Sequence, residues 1–91
     1  MIKPTIGRVV WYHPSDAEPE ITHAATVTYV WSDTCINLAI FDSNGKIYAE
    51  TSVLLFQGKG ARPSSKFAEW MPYQQGQAAK TEQLEKQLLN K

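Results

Sequence analysis

The chain has one cysteine, Cys35, and so closes no intramolecular disulfide. A lone thiol in a strand-like stretch is expected to pack as a small apolar residue, and it fits a reducing compartment. Net charge is also missing, because nine basic residues balance nine acidic ones. Phosphate neutralisation usually leaves a basic excess, so a dedicated nucleic-acid binder is not expected. No apolar run approaches the ~20 residues a membrane-spanning helix needs. The opening MIKPTIGRVV lacks the long apolar centre of a secretory signal. Metal-ligand spacing is absent too. His13, His23, Asp16 and Cys35 are the only candidate ligands or nucleophiles, and no pair has C-x₂-C or H-x₃-H spacing. The expectation is a protein with no enzyme activity, metal or cofactor, carrying two surface histidines and one buried thiol.

What is present is a long stretch of β character. Thr22 to Phe56 reads as three strands joined by two tight turns. Asn44-Gly45 is a strong hairpin signal, because a type I′ turn needs positive φ at both central residues. A two-residue turn there pairs Phe41 with Tyr48, Ile40 with Ala49, Leu38 with Thr51 and Ile36 with Val53. One face then collects Ile36, Leu38, Ile40 and Val53, and the other Asn37, Ala39, Phe41, Tyr48, Glu50 and Ser52. An apolar face against a mixed one is the pattern of a half-exposed antiparallel sheet. The earlier turn is placed at Ser32-Asp33-Thr34, whose side chains bond locally to backbone. Before it, Val27, Tyr29 and Trp31 alternate with Thr26, Thr28 and Val30, a mix suited to a pleated surface.

The flanks complete the domain. Met1 to Pro4 is a short arm. Thr5 to His13 reads as a strand, with Gly7 marking a bulge or a close backbone approach. Residues 14–20, with two prolines, form an acidic loop. Gln57 to Lys66 is a locally basic loop. Phe67 to Met71 is a last short strand, ended by Pro72. From Gln74 the composition favours helix, with Thr81, Leu84, Leu88 and Leu89 on one thin stripe. The fold class is mainly β with a C-terminal helix: residues 1–73 form a small antiparallel sheet or SH3-like barrel of four to five strands, and residues 74–91 the helix of the same domain. A chain of this length buries a modest core, which makes a homo-oligomer an expected source of stability.

Three tryptophans, four tyrosines and three phenylalanines are more than one small inner face holds. Some fill the core, and others are free to line a groove. Aromatic faces beside Arg8, Lys59, Arg62 and Lys66 suit stacking on a base and holding phosphates. The plainer alternative is that the aromatics fill core and subunit interface while the basic residues solvate a loop.

Four segments carry a resemblance. Ile6-Gly7-Arg8-Val9-Val10-Trp11-Tyr12, Ala24 to Thr34 (AATVTYVWSDT), Ile36 to Asp42 (INLAIFD) and Glu69 to Thr81 (EWMPYQQGQAAKT) together resemble a group of small proteins encoded by tailed bacteriophages and prophages. The resemblance covers nearly the whole chain. It implies a phage protein acting in the host bacterial cytoplasm, or a minor part of the virion. By analogy, without a shared motif, small size and the absence of a catalytic centre fit the anti-defence sponges that counter Thoeris and CBASS systems. Those proteins sequester cyclic or ADP-ribose-derived nucleotides without cleaving them. On that reading the site is a pocket between subunits. Trp11, Tyr12 and Trp31 stack on the base, Arg8 and Arg62 hold phosphates, and Ser32, Asp33, Thr34 and Asn37 bond ribose or base edges. No membrane partner is expected. The alternative is a phage protein–protein interaction module or a minor virion structural protein.

Overall fold

A computed structural model describes residues 1–14, 21–63, 65–77 and 80. Five strands, β1 (Val9–His13), β2 (His23–Ser32), β3 (Cys35–Phe41), β4 (Ile47–Phe56) and β5 (Phe67–Glu69), close into a barrel in chain order. Consecutive strands β1 to β4 are antiparallel, and β5 closes the barrel by pairing antiparallel with β1 and parallel with β4. The all-antiparallel expectation therefore fails at one seam. The loop from Gln57 carries the chain across the barrel end, so β5 re-enters beside β4 running the same way.

The core follows the alternation of the strands. Val10, Tyr12, Ala25, Val27, Ile36, Leu38, Ile40, Val53, Leu55, Ala68 and Trp70 fill the interior, with Ile2, Val30 and Tyr48 packed against them. Closing the sheet removes its unpaired edges.

Three departures from simple pairing decide which side chains point in. The β3–β4 connection is a three-residue loop, because Asp42 N–H donates to the Lys46 carbonyl at 3.0 Å. Gly45 N–H donates back to the Asp42 carbonyl at 2.9 Å, and Gly45 sits at φ +81°. This is a turn closed by a left-handed glycine rather than the expected type I′ pair. The cause is local: Asp42 Oδ1 accepts from Asn44 N–H at 2.8 Å and Lys46 N–H at 2.9 Å. The longer loop slips the pairing by one residue, so Phe41 faces Ile47, Ile40 faces Tyr48 and Leu38 faces Glu50. Tyr48 and Glu50 thereby join the inner side, contrary to the expected faces.

A bulge then undoes the slip. Between Leu38–Glu50 and Ile36–Val53, β4 carries an extra residue, and Ser52 adopts φ +53°. Ile36 regains Val53 as its partner, as the simple hairpin predicts. On β2, irregularities between Val27 and Tyr29 and between Val30 and Ser32 change the face again. Val27 and Val30 turn inward while Tyr29 and Trp31 stay outside, so the predicted Val27-Tyr29-Trp31 face is not formed.

Other boundaries move for identifiable reasons. β1 starts at Val9 rather than Thr5, because Gly7 at φ +95° turns the chain and Arg8 N–H donates to the Thr5 carbonyl at 3.2 Å. Nothing lies within 4 Å of a Cβ placed on Gly7, so its need is for the left-handed φ and not for close approach. Pro72 begins the helix at residues 72–77 as well as following the strand, as suits its fixed φ at a first helical position. Gln74 Oε1 accepts from Met71 N–H at 2.9 Å and caps that start. The Gln74 amide also donates to the Val9 carbonyl at 2.8 Å, tying the helix to β1. The expected stripe at Thr81, Leu84, Leu88 and Leu89, and nearly all of the acidic loop, lie outside the described residues.

Candidate functional site

The barrel has two ends of different chemistry. The end of β2, the start of β3 and the end of β4 meet at one of them, where Leu55 N–H donates to the Thr34 carbonyl at 2.9 Å. Arg8, just before β1, lies at that end, since Val27 N–H donates to its carbonyl at 2.8 Å. Of the residues singled out from sequence, Arg8, Trp31, Ser32, Asp33, Thr34 and Asn37 fall here.

Asn37 is the organising side chain. Its Oδ1 accepts from Trp31 Nε1 at 2.9 Å and from Ser52 N–H at 2.8 Å. The first bond fixes the exposed indole, and the second satisfies the backbone donor freed by the bulge. Tyr29 packs edge-on against Trp31, with ring centroids 4.8 Å apart. In the adjoining turn, Ser32 Oγ accepts from Thr34 N–H at 3.3 Å. The Arg8 guanidinium lies 5.2 Å from the centre of the Trp70 ring, and no carboxylate pairs with it among the described residues.

Gln57 connects these pieces, although its sequence context marks it only as a loop residue. Its Oε1 accepts from Trp70 Nε1 at 3.2 Å and from Ile2 N–H at 3.3 Å. Its Nε2 donates to the carbonyls of Ile2 and Asp33, both at 2.9 Å. One amide thus holds the N-terminal arm, the β2–β3 turn and the buried tryptophan. No short-range pattern marks a glutamine for this, because each partner comes from a distant part of the chain.

The other predicted residues lie elsewhere. Tyr12 is buried in the barrel and presents no open ring face, so its assignment to base stacking is corrected: strand alternation puts it on the side of Val10. Burial first, then the Glu50 carboxylate and Tyr48, push its phenol up to about 12. Trp11 sits half-buried on the outer wall of β1, paired with Ala24 and Glu69. Arg62 does not converge with Arg8. It donates to Glu69 Oε2 at 2.8 Å and lies 5.3 Å from the Phe67 ring, toward the opposite end.

That opposite end holds both histidines, with Tyr48, Glu50 and Lys66 beside them. His23 Nδ1 and the Tyr48 hydroxyl are 3.1 Å apart, and Lys66 Nζ is 3.4 Å from Glu50 Oε2. Burial, then Glu50 and Asp42, raise the Tyr48 phenol above its ordinary value. His13 is buried on Phe67, not exposed as expected; its Nε2 is 3.4 Å from Glu69 Oε2 and makes no hydrogen bond. Cys35 is half-buried on the outer side of β3 opposite Leu54, not inside the barrel. Among the described residues no three His, Cys, Asp or Glu side chains gather as a metal site would require. None of the described helix is long and apolar enough to cross a membrane.

Comparison with protein families, curated proteins and solved structures finds no match for the chain.

Proposed function

We propose that this chain is a phage-encoded, non-enzymatic binding protein that sequesters a nucleotide-derived bacterial immune signal, of the Thoeris or CBASS type. The observation that carries the reading is the grouping of Trp31, Asn37, the Ser32–Thr34 turn and Arg8 at one barrel end. An exposed indole held by a hydrogen bond is a ready platform for a base, because stacking needs an open face and little ordering on binding. Asn37 spends its oxygen on Trp31 and Ser52, and among the described residues its Nδ2 donor is left for a base edge or ribose. Arg8, which pairs with no carboxylate among the described residues, is available to a phosphate. One barrel supplies one wall of such a site, and a second copy would supply the other.

The second reading, a phage protein-interaction module or minor virion component, is favoured by the width of the apolar surface. Tyr29 and Leu54 are exposed alongside Trp31, more than a single base covers.

A thermal-shift screen against cyclic dinucleotides and ADP-ribose derivatives separates the two, with native mass spectrometry on each hit. Ligand that binds only the folded state raises the melting temperature. A shift abolished by Arg8→Ala, with intact ligand released on denaturation, supports sequestration. No shift with any member of the panel overturns the nucleotide reading for those signals.

A further inference from the structure

Glu50 and His23 are the only ionisable carboxylate, cation or imidazole groups in β2, β3 and β4, and both lie on the inner side. The outer face of this meander therefore carries no charge, in a chain where charged residues make up 20%. Its centre is flat: Thr26, Ala39 and Ala49 lie side by side across the three strands. Bulky side chains rise at both ends of this saddle. Phe41 and Ile47 pair at one end, exposed 36% and 61%. Tyr29, Trp31 and Leu54 stand at the other, exposed 47%, 60% and 44%.

We infer that this face is where a second copy of the chain docks, sheet against sheet. The area is of the right order. Taking about 200 Å² for each full side chain, those bulky residues alone leave roughly 500 Å² accessible. The small central residues add about 100 Å², which brings the face to the lower end of the ~600–1,000 Å² per partner of a standard stable interface. A lone soluble domain seldom leaves so large an apolar patch open. Charge selects the occupant. An uncharged surface meets its own copy without like-charge repulsion, and it offers no steering to a partner of either sign. Small central residues let two sheets approach to the usual ~10 Å. The twofold contact also brings the Trp31 of each copy to the seam.

Sedimentation velocity on the full chain between 1 and 100 µM tests this, and it is independent of the ligand reading. The expected result is a dimer, converted to monomer by Ala49→Arg with at least a 100-fold weaker association, while circular dichroism stays native. Ile47→Lys gives the same result through a side chain already exposed, so a folding defect in the first variant would not decide the matter. Ile6→Lys, 68% exposed in the arm before β1 rather than in β2, β3 or β4, leaves the dimer intact. A chain that is monomeric at 100 µM, or an oligomer that survives both face variants, overturns the proposal. A dimer broken by these variants, in a protein that binds none of the nucleotide panel, keeps this inference and removes the ligand reading.

Discussion

The indole of Trp70 donates to Gln57 Oε1 at 3.2 Å, from a ring that is almost wholly buried. The same amide bonds Ile2 through both its atoms and Asp33 through its nitrogen. Gln57→Leu removes all of these bonds and leaves the indole N–H without a partner. The expected loss is about 2–3 kcal/mol, by the cost of an unsatisfied buried donor with its companion bonds. Urea denaturation monitored by tryptophan fluorescence measures it. A loss below about 0.5 kcal/mol would show that water replaces the glutamine.

Ser52 sits at φ +53° in the bulge that corrects the β3–β4 register. A non-glycine residue there carries conformational strain. Ser52→Gly is expected to stabilise the protein by about 0.5–1 kcal/mol, and Ser52→Val to destabilise it by about 1–2 kcal/mol. Melting temperatures of the two variants should move in opposite directions.

Tyr12 gives a pH dependence. Its phenol is pushed from 10.0 up to about 12 by burial, with Glu50 and Tyr48 adding to it. The folded state holds this proton more tightly than the unfolded chain. The stabilisation is therefore complete below pH 10 and is lost as pH rises toward 12, to the order of 2 kcal/mol. Other groups titrate in this range, so the readout is the difference between the native chain and Tyr12→Phe. Their stability curves should run parallel below pH 10, and above it the native chain should lose stability relative to Tyr12→Phe.

The proposed site makes its own demand. Trp31→Ala should weaken nucleotide binding by about 10- to 100-fold, the worth of one stacked base. Arg62→Ala should leave affinity unchanged, because Arg62 is bound to Glu69 toward the other end of the barrel. Calorimetric titration with whichever ligand the thermal screen returns checks both. Equal losses from the two variants would place the site elsewhere.

Much of the architecture is local information. Alternation in INLAIF puts Ile36, Leu38 and Ile40 inside, and the same rule places Val10 and Tyr12 together. Turn chemistry located both hairpins of the meander, at Ser32–Thr34 and around Asn44-Gly45. The candidate site is legible as residue types, since Trp31, Asn37 and Arg8 offer an aromatic face, an amide and a cation suited to a base, a ribose and a phosphate. That Tyr12 belongs to the core and Arg62 to the far end was not legible.

The sequence by itself therefore determined a small, mainly β domain, most of its strands and an aromatic-rich, motif-free chemistry, because strand alternation and turn preferences act over a few residues. Tertiary structure alone decided which aromatics face solvent. Three bulges on β2 and β4 each move the following side chains to the opposite face, and a bulge is fixed by pairing with another strand. Barrel closure decided the rest. It brings Ile2, Asp33 and Trp70 to the Gln57 amide across the length of the chain, and it parts Arg8 from Arg62. These are contacts between segments remote in sequence, set by the register of β5 against β1 and β4, which no local pattern encodes.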